Sequence, residues 1–225
     1  MNEKEQLQNT LPFNKPLTSR YRKKYVESIS LNLLKYCYGN TYSEFYVDDA
    51  PDIQNKDKSI GIEVVEAITY EEAQIEGEFT KYRLQSNPRD EERSKQLIER
   101  NGAKIEEFGL SYPLKDSTGE ILSFQCALRK KMGKLASYKS HGFDKLGVFI
   151  FYNESLIPIK LEDLKKYIDN VLNEYSDKYD FIYLGYSCGL IYYDILTGNI
   201  QINTIERTDY NQLQYETRQK VETIK

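Results

Sequence analysis

Histidine is nearly missing: His141 is the only one in 225 residues, which excludes multi-histidine metal centres and leaves a single imidazole as a candidate base. Cysteine is scarce too. Cys37, Cys126 and Cys188 are far apart, odd in number and in no ligand-spaced pair, so they are expected as reduced core thiols and not as disulfides or a metal site. Tryptophan is absent altogether. No run reaches the roughly 18 apolar residues that a membrane span needs, and the opening MNEKEQLQNTLPFNKP lacks the basic and apolar segments of a secretory signal. The expectation is a cytoplasmic protein with no membrane partner. Any hydrolytic chemistry must then draw on carboxylates, lysines and a hard cation.

What is present is 40% hydrophobic residues and 20 tyrosines, enough for a sizeable core whose aromatic rings carry polar tips that need partners. The net charge of −4 argues against passive attraction to nucleic acid. The charges are segregated, however. Residues 15 to 24 carry Lys15, Arg20, Arg22, Lys23 and Lys24 with no acid, residues 129 to 145 carry six Lys or Arg against Asp144, and residues 44 to 78 hold eleven acids against Lys56 and Lys58. An acidic segment between two basic ones suits a cation and a polyanion together. Solvated charged faces are the plainer account of the same pattern.

Along the chain, residues 1–16 read as a polar flexible arm. In PLTSRYRKKYVESISLNLLKYCYGN, Val26, Ile29, Leu33 and Tyr36 recur at helical spacing, and Gly39-Asn40 supplies a stop. SEFYVDDA, PDIQ and SIGIEVVEA read as three short strands, with NKDK as a turn. Residues 69–120 form a charged stretch with two helical segments, TYEEAQIEGEFTKYRLQ and PRDEERSKQLIERNG. It is too poor in apolar positions for a core of its own and reads as a helical insertion or lid on a single domain spanning 1–225. One helix over 121–139 follows, carrying Ile121, Phe124, Leu128, Met132 and Leu135 on one stripe. KLGVFIFY is a doubly buried strand, KLEDLKKYIDNVLNEYSDKY a helix, and DFIYLGYS and GLIYYDILTG the last two strands. The order predicts an α/β (α+β) fold with a mixed sheet flanked by helices.

PDIQNKDKSIGIEVVEA holds the main chemical signal. A four-residue loop at 56–59 pairs Gln54 with Gly61, Ile53 with Ile62, and Asp52 with Glu63, which sets two carboxylates across from one another about 5 Å apart. Like charges facing each other at a half-buried position are destabilising unless a cation lies between them. The Val64 carbonyl is a further candidate oxygen ligand for a hard ion. Glu66 has the opposite strand parity and faces away. Gly61 lets another group approach the hairpin closely.

PD followed after a turn by GIEVVEA, within a helix, three strands, helix, strand order, resembles the PD-(D/E)XK nuclease superfamily of restriction endonuclease-like proteins. By element order the likeness covers residues 17–67 and 120–152, and by residue motif only Asp52 and Glu63. It implies that Asp52, Glu63 and Val64 hold Mg²⁺ (or Mn²⁺) and that the substrate is nucleic acid, in the first place DNA. The family lysine belongs two residues after the Glu, where this chain has Val65. Some members carry that lysine on the helix after the third strand, and here that helix contains Lys131 and Lys134, three apart and bordering the apolar stripe. Gln125 resembles a polar helix position of the family, and Glu27 on the first helix is a further acid of the kind some members use. Arg20, Lys23, Arg129 and Lys139 are then candidates for phosphate contacts. A catalytically inactive nuclease-like module that binds nucleic acid or protein is the alternative. A third reading takes the tyrosine-rich FIYLGYSCGLIYYDI as a surface for a partner chain or a homodimer.

Overall fold

The structure, a computed structural model, describes residues 19–84, 87–106, 109–111, 117–152 and 160–223. The arm expected at 1–16 lies outside the described residues. The first helix, α1 (Ser19–Tyr38), buries Val26, Ile29, Leu33 and Leu34 and ends at Gly39, whose φ of +52° is open to glycine at no steric cost. Tyr36 departs from the expected stripe: it is exposed, with its hydroxyl on Asp209.

Strands β1 (Tyr46–Val47), β2 (Ile53–Gln54) and β3 (Ile60–Glu66) form an antiparallel meander, and β2 pairs with β3 through Ile53–Ile62 and Gln54–Gly61, the register expected from the loop length. The close approach at Gly61 comes from the fold itself, because a Cβ there would meet the Pro51 ring at 2.6 Å. β3 then pairs in parallel with β6 (Lys145–Phe151), and β6 with β7 (Phe181–Tyr186). Antiparallel β8 (Gly189–Asp194) and β9 (Ile200–Thr204) complete a seven-stranded mixed sheet, β1-β2-β3-β6-β7-β8-β9.

Strand parity sorts the two faces. Ile62, Val64, Phe149 and Phe151 point to α1 and form one core. Val65, Val148, Ile150, Ile182 and Leu184 point the other way, into a core with α4 (Ser117–Met132) and α6 (Leu161–Leu172). Val65, at the place where the family motif has its lysine, is thus a packed core residue. Glu63 shares its parity and faces the α4 side.

Three expectations are corrected. The helix expected over 121–139 is two helices, α4 and the short α5 (Leu135–Lys139), parted at Gly133 and Lys134; Leu135 is still buried. The insertion is not purely helical and does have a core. Its helices α2 (Tyr70–Leu84) and α3 (Pro88–Arg100) and hairpin β4 (Lys104–Glu106)–β5 (Gly109–Ser111) gather Ile75, Phe79, Ile98 and Ala103, with Tyr82, Ile105 and Leu110 packed against them. Few apolar residues suffice because the hairpin covers the helix pair. Cys126 and Cys188 are free but exposed, so they are not core thiols. The polar C-terminal stretch is a helix, α7 (Arg207–Thr223), which packs on α1. No helix among the described residues is long and apolar enough to cross a membrane.

Candidate active site

The ladder between β2 and β3 ends at Ile53–Ile62, and Asp52, one step beyond, uses its side chain to continue it: Asp52 Oδ2 accepts the Val64 N–H at 2.8 Å. In a strand the N–H and C=O of one residue point to the same edge, so the Val64 carbonyl faces the edge where Asp52 lies. Glu63, 1% exposed, projects from the α4 face of β3. Lys131, in the last turn of α4, reaches into the gap. Its Nζ donates to Glu63 Oε2 at 2.5 Å and to Asp52 Oδ2 at 3.2 Å. Its neighbours on the helix, Leu128 and Met132, are buried in the core, and its head meets the acids.

A cleft of about 540 Å³ opens over this group and is lined by Arg22, Lys23 and Glu27 from α1, Asp52, the β3 segment Glu63–Glu66, and Lys130, Lys131, Lys134 and Tyr138 from the other side. Glu27 is buried, and Lys23 Nζ stands 3.2 Å from its Oε1 and 3.8 Å from Asp52 Oδ1. Burial first, then the charge of Asp52, pushes the Glu27 carboxyl up to about 7. Burial and Asp52 likewise raise Glu63, against the opposing pull of Lys131 and of the Tyr138 hydroxyl beside it. Three buried acids thus lie beside one buried lysine, Lys131, and one exposed lysine, Lys23.

The other residues singled out in the sequence are placed as follows. Lys134 sits in the break between α4 and α5, exposed, on the rim of the same cleft. Gln125 lies elsewhere: its Nε2 donates to the Tyr167 carbonyl of α6 at 3.1 Å, so its amide ties two helices together and does not line the cleft. Arg129 is held in a two-pronged pair by Glu174, and Lys139 pairs with Asp177 at 2.8 Å; neither lines the cleft. The side chain of Arg20 is outside the described residues. His141 is exposed in a turn, its N–H on the Tyr138 carbonyl. Glu66 points to α1, where Arg22 grips it through Nε and Nη2 at 3.0 and 2.7 Å. Sequence reading missed Tyr138, which the short helix after the break sets beside Glu63, and Tyr179, which the loop before β7 brings to the Lys131 carbonyl.

Among the described residues no three His, Cys, Asp or Glu side chains are gathered closely enough to hold a metal; between Asp52 and Glu63 the Lys131 ammonium takes that space. The donor types nonetheless fit a hard cation. Glu63 Oε1 and Glu27 Oε1 are buried oxygens without a hydrogen bond of good geometry, and they flank Asp52 within the same cleft. No protein-family model, no curated protein and no solved structure matches this chain.

Proposed function

We propose that the protein is a metal-dependent nuclease with a restriction endonuclease-like core that hydrolyses phosphodiester bonds in DNA. The observation that carries this reading is the position of Lys131: it comes from the helix after the third strand and places its ammonium against Asp52 and Glu63, which supplies from α4 the cation that Val65 cannot supply from β3. Asp52, Glu63 and the Val64 carbonyl are the groups that would hold Mg²⁺ or Mn²⁺. The ion, when bound, supplies a Lewis acid for a phosphoryl oxygen and lowers the pKa of water. Lys131 orients the attacking water and offsets the negative charge that grows on the phosphoryl group. Lys23 and Lys134, on opposite rims, bind the flanking phosphates. The insertion, tied to the cleft wall through Arg22 and Glu76, stands as a lid.

A catalytically inactive binding module is the second reading, and the observation that favours it is the same ammonium closing the gap between the two acids. Incubation with plasmid and with single-stranded DNA in Mg²⁺ or Mn²⁺ tests both. The nuclease reading expects cleavage that Asp52→Ala and Glu63→Ala each abolish and Lys131→Ala reduces by about 100-fold or more. Cleavage that survives Asp52→Ala and Glu63→Ala would sink the site assignment. Salt-sensitive binding without cleavage selects the second reading.

A further inference from the structure

Lys131 is held at both ends. Its ammonium meets the acids, and its backbone carbonyl, in the last turn of α4, accepts two donors: the Lys134 N–H at 2.9 Å and the Tyr179 hydroxyl at 3.1 Å. The first bond is local and belongs to the helix break. The second comes from 48 residues away, from the loop that leads into β7, and Tyr179 is 2% exposed. Carbonyls in a final helical turn have no partner further along the helix, and such turns fray unless something else satisfies them. Burial, and after it the nearby charge of Glu63, raises the Tyr179 phenol, so the hydroxyl keeps its proton and remains a donor.

We propose that Tyr179 is a positioning residue for the site: its buried hydroxyl anchors the Lys131 carbonyl to the core, and so fixes where the ammonium of that long side chain can reach between Asp52 and Glu63. The consequence for catalysis rests on the nuclease reading; the anchoring itself does not. A lysine stem has several rotatable bonds and gives up their freedom when it is fixed. Fixing its root limits how far the head can wander, and an error of about 1 Å in a reacting group can cost on the order of 100-fold in rate.

The test uses Tyr179→Phe, which keeps the ring and removes only the hydroxyl, beside Tyr193→Phe as a control. Tyr193 is also buried in the same core, and its hydroxyl bonds Asp169 on α6 at 2.7 Å. Native-state acetylation of the full chain, read by mass spectrometry, reports each lysine. In the wild type, Lys131 is expected to react far more slowly than exposed Lys130. Tyr179→Phe is expected to raise the Lys131 rate about fivefold or more while Lys130 and Lys134 stay within about twofold, and Tyr193→Phe to leave all three unchanged. If the chain cleaves DNA, Tyr179→Phe lowers kcat by about tenfold with KM held within about twofold. Unchanged Lys131 protection in Tyr179→Phe overturns the proposal. So does equal exposure in Tyr193→Phe, or a uniform rise at every lysine, because either marks a general loss of stability. A chain that cleaves nothing but shows selective exposure of Lys131 leaves the anchoring standing and removes the nuclease reading.

Discussion

Lys131 and Glu63 stand 68 residues apart in the chain and 2.5 Å apart in space, in an ion pair whose side chains keep only 11% and 2% of their surface in contact with solvent. Removing one partner of such a pair leaves the other charge dry and alone, which costs about 3–5 kcal/mol. Lys131→Met keeps the stem and deletes the charge, and it leaves Glu63 facing Asp52. The expected outcome is a loss of that size in urea unfolding at pH 8. The loss shrinks as the pH falls, because Glu63, already raised by burial and Asp52, then takes a proton. Ca²⁺, a hard cation of the kind this donor set suits, should stabilise Lys131→Met more than the wild type. Equal stabilisation of the two proteins counts against a cation site at these acids.

Glu27 sets a pH dependence of its own. In the folded chain its carboxyl is pushed up to about 7 from an ordinary 4.5 by burial and then by Asp52. The folded state therefore binds a proton that the unfolded state has already lost between these values, and stability drains away as the pH rises through about 7. Glu27→Gln cannot lose that proton. Its stability should match the wild type near the lower end of this range and exceed it at pH 8 by up to about 3 kcal/mol. Urea midpoints measured across the range check this, and parallel curves for the two proteins would refute it.

The hairpin was legible in the sequence because loop length and side-chain alternation fix register together: Gln54–Gly61 and Ile53–Ile62 pair as expected. The doubly buried β6 was legible for the same kind of reason, a continuous apolar run. Which lysine reaches the acids was not. Lys131 and Lys134 share a face only if the helix continues, and the break after Met132 puts Lys134 on the rim and leaves Lys131 buried. The β4–β5 hairpin escaped notice because its strands are three residues each, too short for a period to register, and β9 because its half-buried and exposed positions do not alternate. Gln125 misled because polar residues on a core helix serve helix packing as readily as a site.

Arg22 joins the insertion to the cleft. Its guanidinium grips Glu66 at the end of β3, and its Nη1 lies 3.0 Å from Glu76 of α2. All three side chains are partly buried, at 27%, 18% and 28% exposure, so the network resists screening better than a surface pair. Arg22→Ala should cost about 1–3 kcal/mol. Hydrogen exchange should quicken within α2 while the sheet core keeps its protection. Glu76→Gln, which leaves the grip on Glu66 intact, should speed exchange in α2 alone by a smaller factor. Uniform changes across the chain in both variants would show that Arg22 is no tie between the two parts.

Gly61 tests how tightly the hairpin aims Asp52. A methyl group at this position would lie 2.6 Å from Pro51 Cγ, 3.0 Å from Phe143 and 3.1 Å from Leu146. Phe143 and Leu146 are packed in or against the α4-side core, and Pro51 directly precedes Asp52, so the added volume has little room to go except into the segment that carries the acid. The strain should cost about 1–3 kcal/mol. It should also lengthen the contact of Asp52 Oδ2 with the Val64 N–H and with the Lys131 ammonium, 2.8 and 3.2 Å in the native chain. Gly61→Ala is therefore expected to lower the unfolding midpoint and to raise Lys131 acetylation. Gly77→Ala is the matched control: it lies in α2, has nothing within 4 Å of the added carbon, and should gain about 0.5–1 kcal/mol from helix propensity. A stable Gly61→Ala with Lys131 still protected would mean that the Pro51 ring moves aside without carrying Asp52 with it, and that the acid is held by its bonds to the Val64 N–H and the Lys131 ammonium and not by the ring.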